Sequence, residues 1–516
     1  MSLPVITLLC RAQVGLQAPP VQVEVTVTNG LPAFHLVGLP ATVVRESRDR
    51  VQAALLSSGF EFPAGRIVVN LAPAEIPKEG GRFELPIALG ILMASGQLRQ
   101  LPVAGTPPCE LYGELGLGGQ IKSVRGILLA AAHASRDGHE LIVPAANADE
   151  ALIAATTPVR AASHLKEVCE HIAGEQPLRV RSAMTNGRTT QQSNGASAVP
   201  DIADVRGQVH AKRALLIAAA GGHSLLMIGP PGCGKSMLAQ RLPGLLPPLT
   251  AAEALDCAAI ASVSAIGFNM GGFGHRPFRS PHHTASAVSL VGGGAHARPG
   301  EISLAHHGVL FLDELPEFDR QVLEALREPL EAGVVRVARA AAHADYPAEF
   351  QLIAAMNPCP CGHLGDSTRS CRCTPAQAQR YCTRISGPLL DRLDMHVHVP
   401  PLEISDFDDR ICRGESSAIL AARVAGVRSR QLTRQGRSNA RLTDAQIDRC
   451  CLLQPAARTL LDRSMRQLRF SGRTRQRILK LARTIADLDG HEPIAATHVS
   501  EAVMLRCLDR ERSVSA

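Results

Sequence analysis

The residues from Gly229 to Ser236 carry the chemistry of a phosphate-binding loop. They fit the pattern G-x-x-x-x-G-K-[ST] and follow an apolar run, Leu225 to Ile228, that predicts a buried strand. Glycines at these positions let the backbone wrap a phosphate and point its N–H groups inward. Lys235 would reach the outer phosphates of ATP, and the Ser236 hydroxyl would bind Mg²⁺. The alternative, a chance glycine-rich turn, is disfavoured because the whole pattern is matched directly after a strand.

A second apolar run ends in two acids, Asp313 and Glu314. The pattern favours a central strand that delivers carboxylates to its C-terminal end, where ligands bind in open α/β sheets. Asp313 would hold Mg²⁺ through water, and Glu314 would orient and deprotonate the attacking water. The alternative is a strand followed by a surface acidic pair. The predicted nucleotide-binding residues are Gly229, Pro230, Pro231, Gly232, Cys233, Gly234, Lys235, Ser236 and Asp313, with Ser236 and Asp313 as the magnesium ligands.

Two further polar residues lie where they could act on a phosphate. Asn357 ends the apolar run that begins at Phe350, so its amide would hydrogen-bond the γ-phosphate or the lytic water; an Asn-Pro turn is the alternative. Arg392 lies between Asp391 and Asp394. An exposed arginine can enter a neighbouring subunit's site and stabilise transferred charge, whereas the plainer interpretation is a local ion pair with one of the two acids.

Four cysteines, Cys359, Cys361, Cys371 and Cys373, have the spacing C-x-C-x₉-C-x-C. Four thiolates at this spacing could surround one tetrahedral Zn²⁺, although structural zinc sites usually have C-x₂₋₄-C. A metal would stabilise the loop between Asn357 and Arg392. The alternative is four reduced thiols without metal. The sequence therefore predicts a candidate zinc site.

Short periodic segments before residue 174 predict a mixed α/β domain. Strand patterns occur at 21–28, 67–71 and 140–143, a strand pair at 113–121, and helix patterns at 45–58, 86–95 and 127–135. Residues 174–200 are rich in Ser, Thr, Gln, Asn and Gly and predict a flexible linker. After residue 401, four helices are predicted: one capped by Thr443, then 456–468, 473–488 and 496–508.

Composition limits the classes of function. A chain of 516 residues predicts two to four domains. Three tyrosines and no tryptophan argue against an aromatic platform for single strands. From residue 401 onward, 21 Lys and Arg residues face 14 Asp and Glu residues, which is consistent with a phosphate-bearing polymer as partner or with a solvated helical face. No signal peptide or transmembrane run is recognised, so a cytoplasmic protein with reduced thiols is expected.

Together these stretches resemble the AAA+ family, and most closely its magnesium-chelatase-like branch with the ComM/YifB proteins. The residues that carry the closer match are 279–286, 291–294, 299–306, 326–331 and 357–362. The resemblance covers nearly the whole chain. It implies a hexameric ring ATPase with Arg392 acting in trans, and an inserted hairpin at about 271–294 whose Arg279, His282 and His283 could face DNA in the channel. It also implies that Arg473 begins a second sensor helix and reaches the γ-phosphate; Arg475 and Arg477 are rivals, and a basic helix face is the alternative.

The front of the chain resembles the Lon-protease-like domain, which has a ribosomal-S5-type fold. The match is carried by residues 113–119 and 128–131. Lon proteases use a Ser–Lys pair. Here the stretch 78–82 stands where that family has its serine, and Arg125 stands at the lysine position. Because a guanidinium cannot act as a base at neutral pH, a structural or interaction domain without proteolytic activity is expected.

The predicted organisation has four parts. They are a Lon-like domain at 1–173, the linker at 174–200, an AAA+ core with a parallel sheet at 201–400, and a helical lid at 401–516. The resemblance implies a homo-hexameric, ATP- and Mg²⁺-dependent DNA helicase that drives branch migration during natural transformation, with recombination proteins as further partners. The rival is a chelatase-type motor that remodels a protein for metal insertion, and a third interpretation is a regulator that uses ATP only to assemble.

Overall fold

The computed structural model describes residues 5–38, 46–99, 107–181, 200–294, 297–339, 342–365, 369–402 and 414–508. Two large sheets and a helical C-terminal region make up this part of the chain. The predicted α/β fold with a parallel sheet and a helical C-terminal region is confirmed. Among the described residues, no helix combines the length and apolarity needed to cross a membrane.

The first sheet belongs to the N-terminal region and mixes parallel with antiparallel pairs. Its strands, with the short ribbon β6–β7, are β1 (Ile6–Arg11), β2 (Pro20–Thr28), β3 (Ala33–Val37), β4 (Arg66–Ala72), β5 (Cys109–Leu111), β6 (Glu114–Leu115), β7 (Ile121–Lys122), β8 (Glu140–Pro144), β9 (Val159–Ala162) and β10 (Val180–Arg181). The helices are α1 (Ser47–Ser57), α2 (Glu84–Ala94), α3 (Ile127–Arg136), α4 (Ala148–Ala154) and α5 (Leu165–Ala173). The eight-stranded order is β10-β9-β8-β5-β1-β2-β4-β3.

Alternation and apolar content explain how this region packs. In β2, Val21, Val23 and Val25 are buried at every second position, as expected for a strand with one face in the core. Helix α2 is buried from Glu84 to Leu92 and packs on β1 and β2. Gly90 permits that approach, because a Cβ there would lie 2.5 Å from Cγ2 of Val25.

The range predicted as a linker is not wholly outside the fold. Strand β10 lies within it and pairs antiparallel with β9, Val180 opposite Arg160. The difference arises because a two-residue edge strand leaves no periodic pattern in the sequence. Residues 182–199 lie outside the described residues.

The second sheet contains only parallel pairs. The remaining strands are β11 (Leu225–Ile228), β12 (Phe278–Arg279), β13 (Gly292–Gly293), β14 (Arg298–Pro299), β15 (Val309–Leu312), β16 (Val334–Arg339), β17 (Ala342–Pro347), β18 (Gln351–Met356) and β19 (Met395–His398). The helices of this region are α6 (Val209–Gly221), α7 (Lys235–Arg241), α8 (Ala251–Val263), α9 (Ala287–Val291), α10 (Glu301–Leu304), α11 (Arg320–Ala325), α12 (Arg327–Ala332), α13 (Pro375–Cys382) and α14 (Gly387–Leu390). The order β12-β15-β18-β11-β19 brings the ends of β11, β15 and β18 together at one edge.

The stretch 271–294, predicted to form an inserted hairpin, contains several short elements in the structure. The described residues of this stretch contain β12, which adds in parallel to the edge of the sheet beside β15, and the helix α9. Strand β12 joins the sheet because the Phe278 ring stacks on Phe311 with centroids 6.1 Å apart, and the backbone N–H of Val309 donates to the Pro277 carbonyl at 2.8 Å. Two antiparallel pairs are described in this domain. The short pair β13–β14 begins at the end of the predicted stretch, and the longer pair β16–β17 lies between the acid pair and Asn357.

The C-terminal region contains five helices within residues 414–508. They are α15 (Ser417–Gln435), α16 (Asp444–Cys450), α17 (Pro455–Gln467), α18 (Gly472–Leu488) and α19 (Ala496–Met504). Four correspond to predicted helices, although α19 ends at Met504 rather than 508. The longest, α15, was not predicted, even though Leu420, Val424 and Val427 are buried at helical spacing.

The N-terminal region docks on helix α8 of the second region. The backbone N–H of Gly126 donates to the Ser262 carbonyl at 3.1 Å, and the Ser262 hydroxyl donates to Glu150 at 2.5 Å. Leu128 and Leu129 join the same hydrophobic cluster as Leu226 and Leu310. The two regions therefore share buried apolar and polar contacts.

Candidate nucleotide-binding site

Lys235 lies at the centre of the phosphate-binding loop. Its Nζ donates to the carbonyls of Gly229 and Pro230, each at 2.8 Å. Gly232 and Gly234 have φ values of 78° and 94°, and a Cβ on either would meet no atom within 4 Å. The loop therefore presents an open concave face, which is the space a phosphate requires. The predicted lysine is in position to exchange two backbone carbonyls for phosphate oxygens.

Ser236 and Asp313 meet at the site predicted for Mg²⁺. The Ser236 hydroxyl donates to Oδ2 of Asp313 at 2.6 Å. Two oxygens bound side by side to one Mg²⁺ lie about 2.9 Å apart, since Mg–O bonds are about 2.0–2.1 Å. A shift of a few tenths of an ångström would let both oxygens bind one ion. The hydroxyl and carboxylate donors are hard oxygen ligands, so the residues fit magnesium.

Glu314 is held in an unusual backbone conformation. Its φ is 53°, in the left-handed region, which costs a non-glycine residue about 1–3 kcal/mol and is concentrated at functional sites. Its backbone N–H donates to Oδ1 of Asp313 at 3.0 Å. Nδ1 of His283 lies 3.4 Å from Oε2 of Glu314, whose side chain is 52% exposed. The two acids therefore point in different directions. Asp313 contacts Ser236, whereas Glu314 points outward beside His283.

Asn357 joins the same cluster. It directly follows β18, which is hydrogen-bonded to β11 on one side and β15 on the other. Its Oδ1 accepts a hydrogen bond from Lys235 at 3.2 Å. The structure therefore brings Lys235, Ser236, Asp313, Glu314 and Asn357 to the carboxyl edge of one sheet, where α/β proteins bind ligands.

Sequence reasoning missed Gln208 as a support of the loop. This residue is buried, has a φ of 54°, and donates from Nε2 to the carbonyls of Cys233 at 3.1 Å and Pro400 at 2.7 Å. No spacing signal links it to the loop, because the contact depends on how the chain folds. The Cys233 thiol is buried beneath the loop, and burial raises its pKa, which keeps it protonated and unreactive.

Arg392 lies at the opposite edge of the sheet. Its carbonyl accepts a hydrogen bond from Ser224, the residue before β11, whereas the phosphate-binding loop follows β11. At about 3.3 Å per residue, the two edges are roughly 15 Å apart. The Arg392 guanidinium is bound within its own chain by Glu331 at 2.6 Å and by the Pro388 carbonyl at 2.8 Å. Its ion-pair partner among the described residues is Glu331 rather than Asp391 or Asp394, so the local ion pair considered from the sequence forms with a different acid.

Arg473 lies near Arg392 rather than near its own phosphate-binding loop. A groove of about 500 Å³ runs along the amino ends of β11, β18 and β19, and both arginines line it. Its other charged side chains are Arg437, Arg441, Arg477, Lys480, Glu331 and Asp394. The groove lining has six basic groups and two acidic ones, an excess of positive charge that favours an anion, although Arg392, Arg441 and Arg477 are paired with acids within the chain.

Asp394 fixes the C-terminal helices to this edge. It accepts a hydrogen bond from Arg477 at 2.6 Å, and His223 lies 3.4 Å away. Burial raises the pKa of Asp394, but the hydrogen bond from His223 and the charge of Arg477 outweigh it and hold that pKa well below the usual range. Arg477, one rival for the second sensor, is therefore engaged in this ion pair, which leaves the exposed Arg473 and Arg475 as candidates.

The predicted DNA-facing residues are engaged inside the chain. Arg279 forms a two-pronged ion pair with Glu301, with N–O distances of 2.6 and 2.7 Å. His283 contacts Glu314, and His282 accepts a hydrogen bond from Thr284. In this structure, Arg279 is held at the sheet edge and His283 lies beside the acid pair, and contact of these residues with DNA stays a prediction.

The four predicted cysteines come together. The Sγ–Sγ distances are 3.4 Å for Cys359–Cys361 and 3.6 Å from each of these to Cys371. All four Sγ atoms, including that of Cys373, lie within 4.8 Å of one another. A tetrahedral zinc with Zn–S bonds of about 2.3 Å has S–S edges of about 3.8 Å. Backbone N–H groups, first that of His363, lower the pKa of Cys361 to about 6, whereas contacts with the neighbouring thiols raise the pKa of Cys371 to about 12 and raise that of Cys373. The support for a metal site is therefore the geometry of the four Sγ atoms.

Family comparisons agree with this geometry. Residues 23–147 match the family model "Subunit ChlI of Mg-chelatase", 201–407 match "Magnesium chelatase, subunit ChlI", and 414–506 match "Magnesium chelatase, subunit ChlI C-terminal". Competence protein ComM of Haemophilus influenzae is 46% identical over 97% of each chain. A protein named YifB of Salmonella typhimurium is 47% identical over 97% of this chain and 96% of its own. A Mycobacterium tuberculosis protein is 40% identical over 95% of this chain and 96% of its own.

The chain belongs to the ComM/YifB family of magnesium-chelatase-like AAA+ proteins. Membership in this family implies ATP and Mg²⁺ as ligands and indicates ATPase activity. The oxygen donors of Ser236 and Asp313 and the open loop around Lys235 are consistent with both ligands.

In this ComM/YifB chain, a second cluster of potential metal ligands does not have the right chemistry. Asp256, His306 and His307 lie close together. However, Nδ1 of His306 accepts a hydrogen bond from the backbone N–H of Glu349 at 3.0 Å. Burial lowers the pKa of His306 to about 3, so the ring is neutral and its proton must be on Nε2. Neither nitrogen then has a free lone pair for a metal.

The Lon-like front of this family member has a filled site. A Cβ at Gly81 would lie 2.5 Å from Cγ of Glu114, so the position has no room for a serine side chain. Arg82 is buried and donates to the Arg125 carbonyl at 2.6 Å. Lys78 is also buried, and its Nζ donates to the Pro73 carbonyl. The place where the protease would have its nucleophile is occupied by packing and backbone contacts.

We expect His283→Ala to lower kcat for ATP hydrolysis roughly tenfold while KM for ATP stays within about twofold, because His283 contacts the general base and not the phosphate-binding loop. His283→Gln should retain part of the rate, since an amide can still contact Glu314. Steady-state ATPase kinetics would measure both constants.

The matched control is His282→Ala. The His282 ring lies against His283 with centroids 4.1 Å apart, but its hydrogen-bond partner is Thr284. His282→Ala should therefore leave kcat near that of the unmodified protein. Equal kcat values for the His283→Ala and His282→Ala variants would contradict a role for His283 at Glu314.

Proposed function

We propose that the protein is an ATP-driven, ring-forming DNA translocase that promotes branch migration of recombination intermediates during natural transformation, acting in the cytoplasm as a homo-hexamer. The observation that carries the proposal is that the phosphate-binding groups and Arg392 lie at opposite edges of the parallel sheet. The phosphate-binding groups lie at the carboxyl ends of the strands, and the basic groove with Arg392 lies at the amino ends. One protomer cannot bring both to the same phosphate, whereas neighbouring copies in a ring can.

The proposed roles follow from the positions of the side chains. Lys235 and Asn357 bind the terminal phosphate, Ser236 and Asp313 hold Mg²⁺, and Glu314 deprotonates the attacking water. The Mg²⁺ ion would neutralise charge on the phosphate oxygens. Arg392 and Arg473 of the adjacent copy stabilise the charge that develops on the phosphoryl group. Arg392 must first leave Glu331, an acid whose own side chain is 61% exposed.

The DNA part of the proposal has two supports. One relative of nearly equal length is named a competence protein. The C-terminal region carries an excess of arginine, as expected for a protein that contacts a phosphate-bearing polymer. The hairpin β16–β17 offers a further contact, since the Arg336 side chain is 71% exposed and its pair with Glu328, at 3.6 Å, is itself exposed. Other recombination proteins would be partners in this role.

The same proposal assigns the other parts of the chain. The Lon-like domain (1–173) has no proteolytic activity and acts by docking on the ATPase core (201–400), joined through the linker at 174–200. The region 401–516 is the helical lid. Cys359, Cys361, Cys371 and Cys373 bind one structural Zn²⁺, as their Sγ distances allow.

A second candidate is supported by the names of the family models. All three refer to the ChlI subunit of magnesium chelatase. A motor that remodels a protein partner for metal insertion would use the same nucleotide site. The four-cysteine cluster and the Lon-like front are not typical of that motor subunit, which favours the DNA translocase.

Mixing experiments test the shared site. Glu314→Gln and Arg392→Ala chains should each be inactive alone, because each lacks one half of the site. Mixed in equal amounts, they should regain ATPase activity, since about a quarter of the interfaces in a random ring would pair an intact Glu314 with an intact Arg392. Failure of the mixture to exceed the sum of the separate rates, with both proteins assembled, would contradict the shared site.

ATPase rates with and without branched DNA test the substrate. DNA should stimulate hydrolysis severalfold, and the stimulation should fade between about 50 and 200 mM salt because phosphate contacts release counterions. The Lys235→Ala variant sets the background. Stimulation by no nucleic acid would favour a protein client, and the absence of any hydrolysis would leave only an assembly role for ATP.

Elemental analysis tests the zinc site. The purified protein should contain about one Zn per chain. Cys371→Ser with Cys373→Ser should lose the metal, whereas Cys382→Ser should keep it, because the Cys382 thiol contacts the Pro358 carbonyl at 3.8 Å. A folded, active and metal-free protein would show that the four thiols remain reduced without a ligand.

A further inference from the structure

The cysteine-rich loop packs directly on the phosphate-binding loop. A Cβ at Gly362 would lie 2.6 Å from Cδ and 2.9 Å from Cγ of Pro231, so only a glycine permits this approach. The same Cβ would lie 3.8 Å from Cγ of Asn357. Gly362 is buried and has a φ of 84°. The turn at Gly362 therefore lies in direct contact with the Pro231 ring of the phosphate-binding loop.

The four cysteines determine where this turn lies. The backbone N–H of Gly362 donates to the Cys359 carbonyl at 2.9 Å, and the Cys359 side chain is fully buried. Among the described residues from 358 to 373, no helix or strand supplies a regular set of hydrogen bonds. The thiol cluster is thus the main cross-link between the two ends of the loop.

The loop also begins at the nucleotide site. Only Pro358 separates Cys359 from Asn357, whose Oδ1 accepts a hydrogen bond from Lys235 at 3.2 Å. Movement of the four cysteines would therefore affect the phosphate-binding loop through two contacts. One is the contact of Gly362 with Pro231, and the other is the hydrogen bond between Asn357 and Lys235. Neither effect requires a change in the rest of the sheet.

We propose that the cysteine-rich loop braces the phosphate-binding loop, and that metal bound by the four cysteines sets the affinity for ATP. The inference rests on the zinc site and nucleotide site of the proposed function. With metal bound, the Gly362 turn stays against Pro231 and holds the loop in its phosphate-binding shape. Without metal, the turn withdraws and the loop must be ordered when ATP binds, which weakens binding.

Two glycines in this loop give a matched pair of variants. Gly362 and Gly365 have φ values of 84° and 77°, so alanine brings similar backbone strain at either position. A Cβ at Gly362 meets Pro231, whereas a Cβ at Gly365 meets no atom within 4 Å. Gly362→Ala should weaken binding of a fluorescent ATP analogue about tenfold or more, and Gly365→Ala should change it by less than about threefold. Equal affinities in the two variants would overturn the brace.

Metal removal tests the second half of the inference. The full-length protein is stripped with a chelator under reducing conditions, and binding of the fluorescent ATP analogue is measured before removal, after removal and after Zn²⁺ is added back. Affinity should fall about tenfold and be restored by Zn²⁺, while circular dichroism shows that the helices persist. Affinity that stays unchanged after removal overturns the proposed role of the metal.

The outcomes distinguish the proposed bracing of the phosphate-binding loop from the zinc site and the nucleotide site on which it rests. Protein that contains zinc but binds the ATP analogue equally well with and without it would contradict the brace and leave the zinc site standing. Protein that contains no zinc would contradict both the zinc site and the role of metal here, while Gly362→Ala would still test the contact with Pro231. Neither result bears on the stimulation of ATPase activity by DNA.

Discussion

In the sheet β12-β15-β18-β11-β19, every strand points the same way, and this constraint organises the rest of the molecule. Parallel strands bring the groups that follow them to one edge, so Lys235, Asp313 and Asn357 converge without any of them being close in sequence. The same direction sends Arg392, which precedes β19, to the other edge. A phosphate bound at the first edge is beyond the reach of the arginine in the same chain.

The contacts at the nucleotide site are poised for exchange. Lys235 is paired with two carbonyls and Asn357, Ser236 is paired with Asp313, and Arg392 is paired with the exposed acid Glu331. Each pair satisfies a polar group that would otherwise be costly to leave unpaired in a partly buried site. Each pair can still be replaced, because a phosphate or a cation offers a stronger charge to the same atoms. The arrangement keeps the site in order while leaving its ligands replaceable.

Supports for the site come from distant parts of the chain. Gln208 bonds the carbonyl of Cys233, His283 lies beside Glu314, and Gly362 packs on Pro231. The lid is attached at the other edge through Arg477 and Asp394. Helix α18 carries both Arg473 and Arg477, so the ion pair of Arg477 with Asp394 also fixes the position of Arg473. The N-terminal region also packs on this domain, where Glu150 accepts a hydrogen bond from Ser262 of α8.

Sequence alone determined the parts of the site that are local. The phosphate-binding loop, the acid pair and Asn357 each directly follow an apolar strand, so residue type and spacing predicted both the element and its chemistry. The thiol cluster was also predictable, because its four cysteines lie within fifteen residues. Helix α15 had a readable pattern in Leu420, Val424 and Val427 and was missed although the signal was present.

Only the tertiary structure decided which side chains act together across the chain. The sequence did not show that Arg279 pairs with Glu301, or that Phe278 and Arg279 form an edge strand of the sheet. Likewise, the opposite placement of Arg392 and the close approach of Gly362 to Pro231 depend on strand order and on φ values, which no spacing in the sequence encodes. Local patterns fix what a residue can do, whereas the fold fixes which partner it meets, because contacts between distant segments depend on the packing of the whole chain.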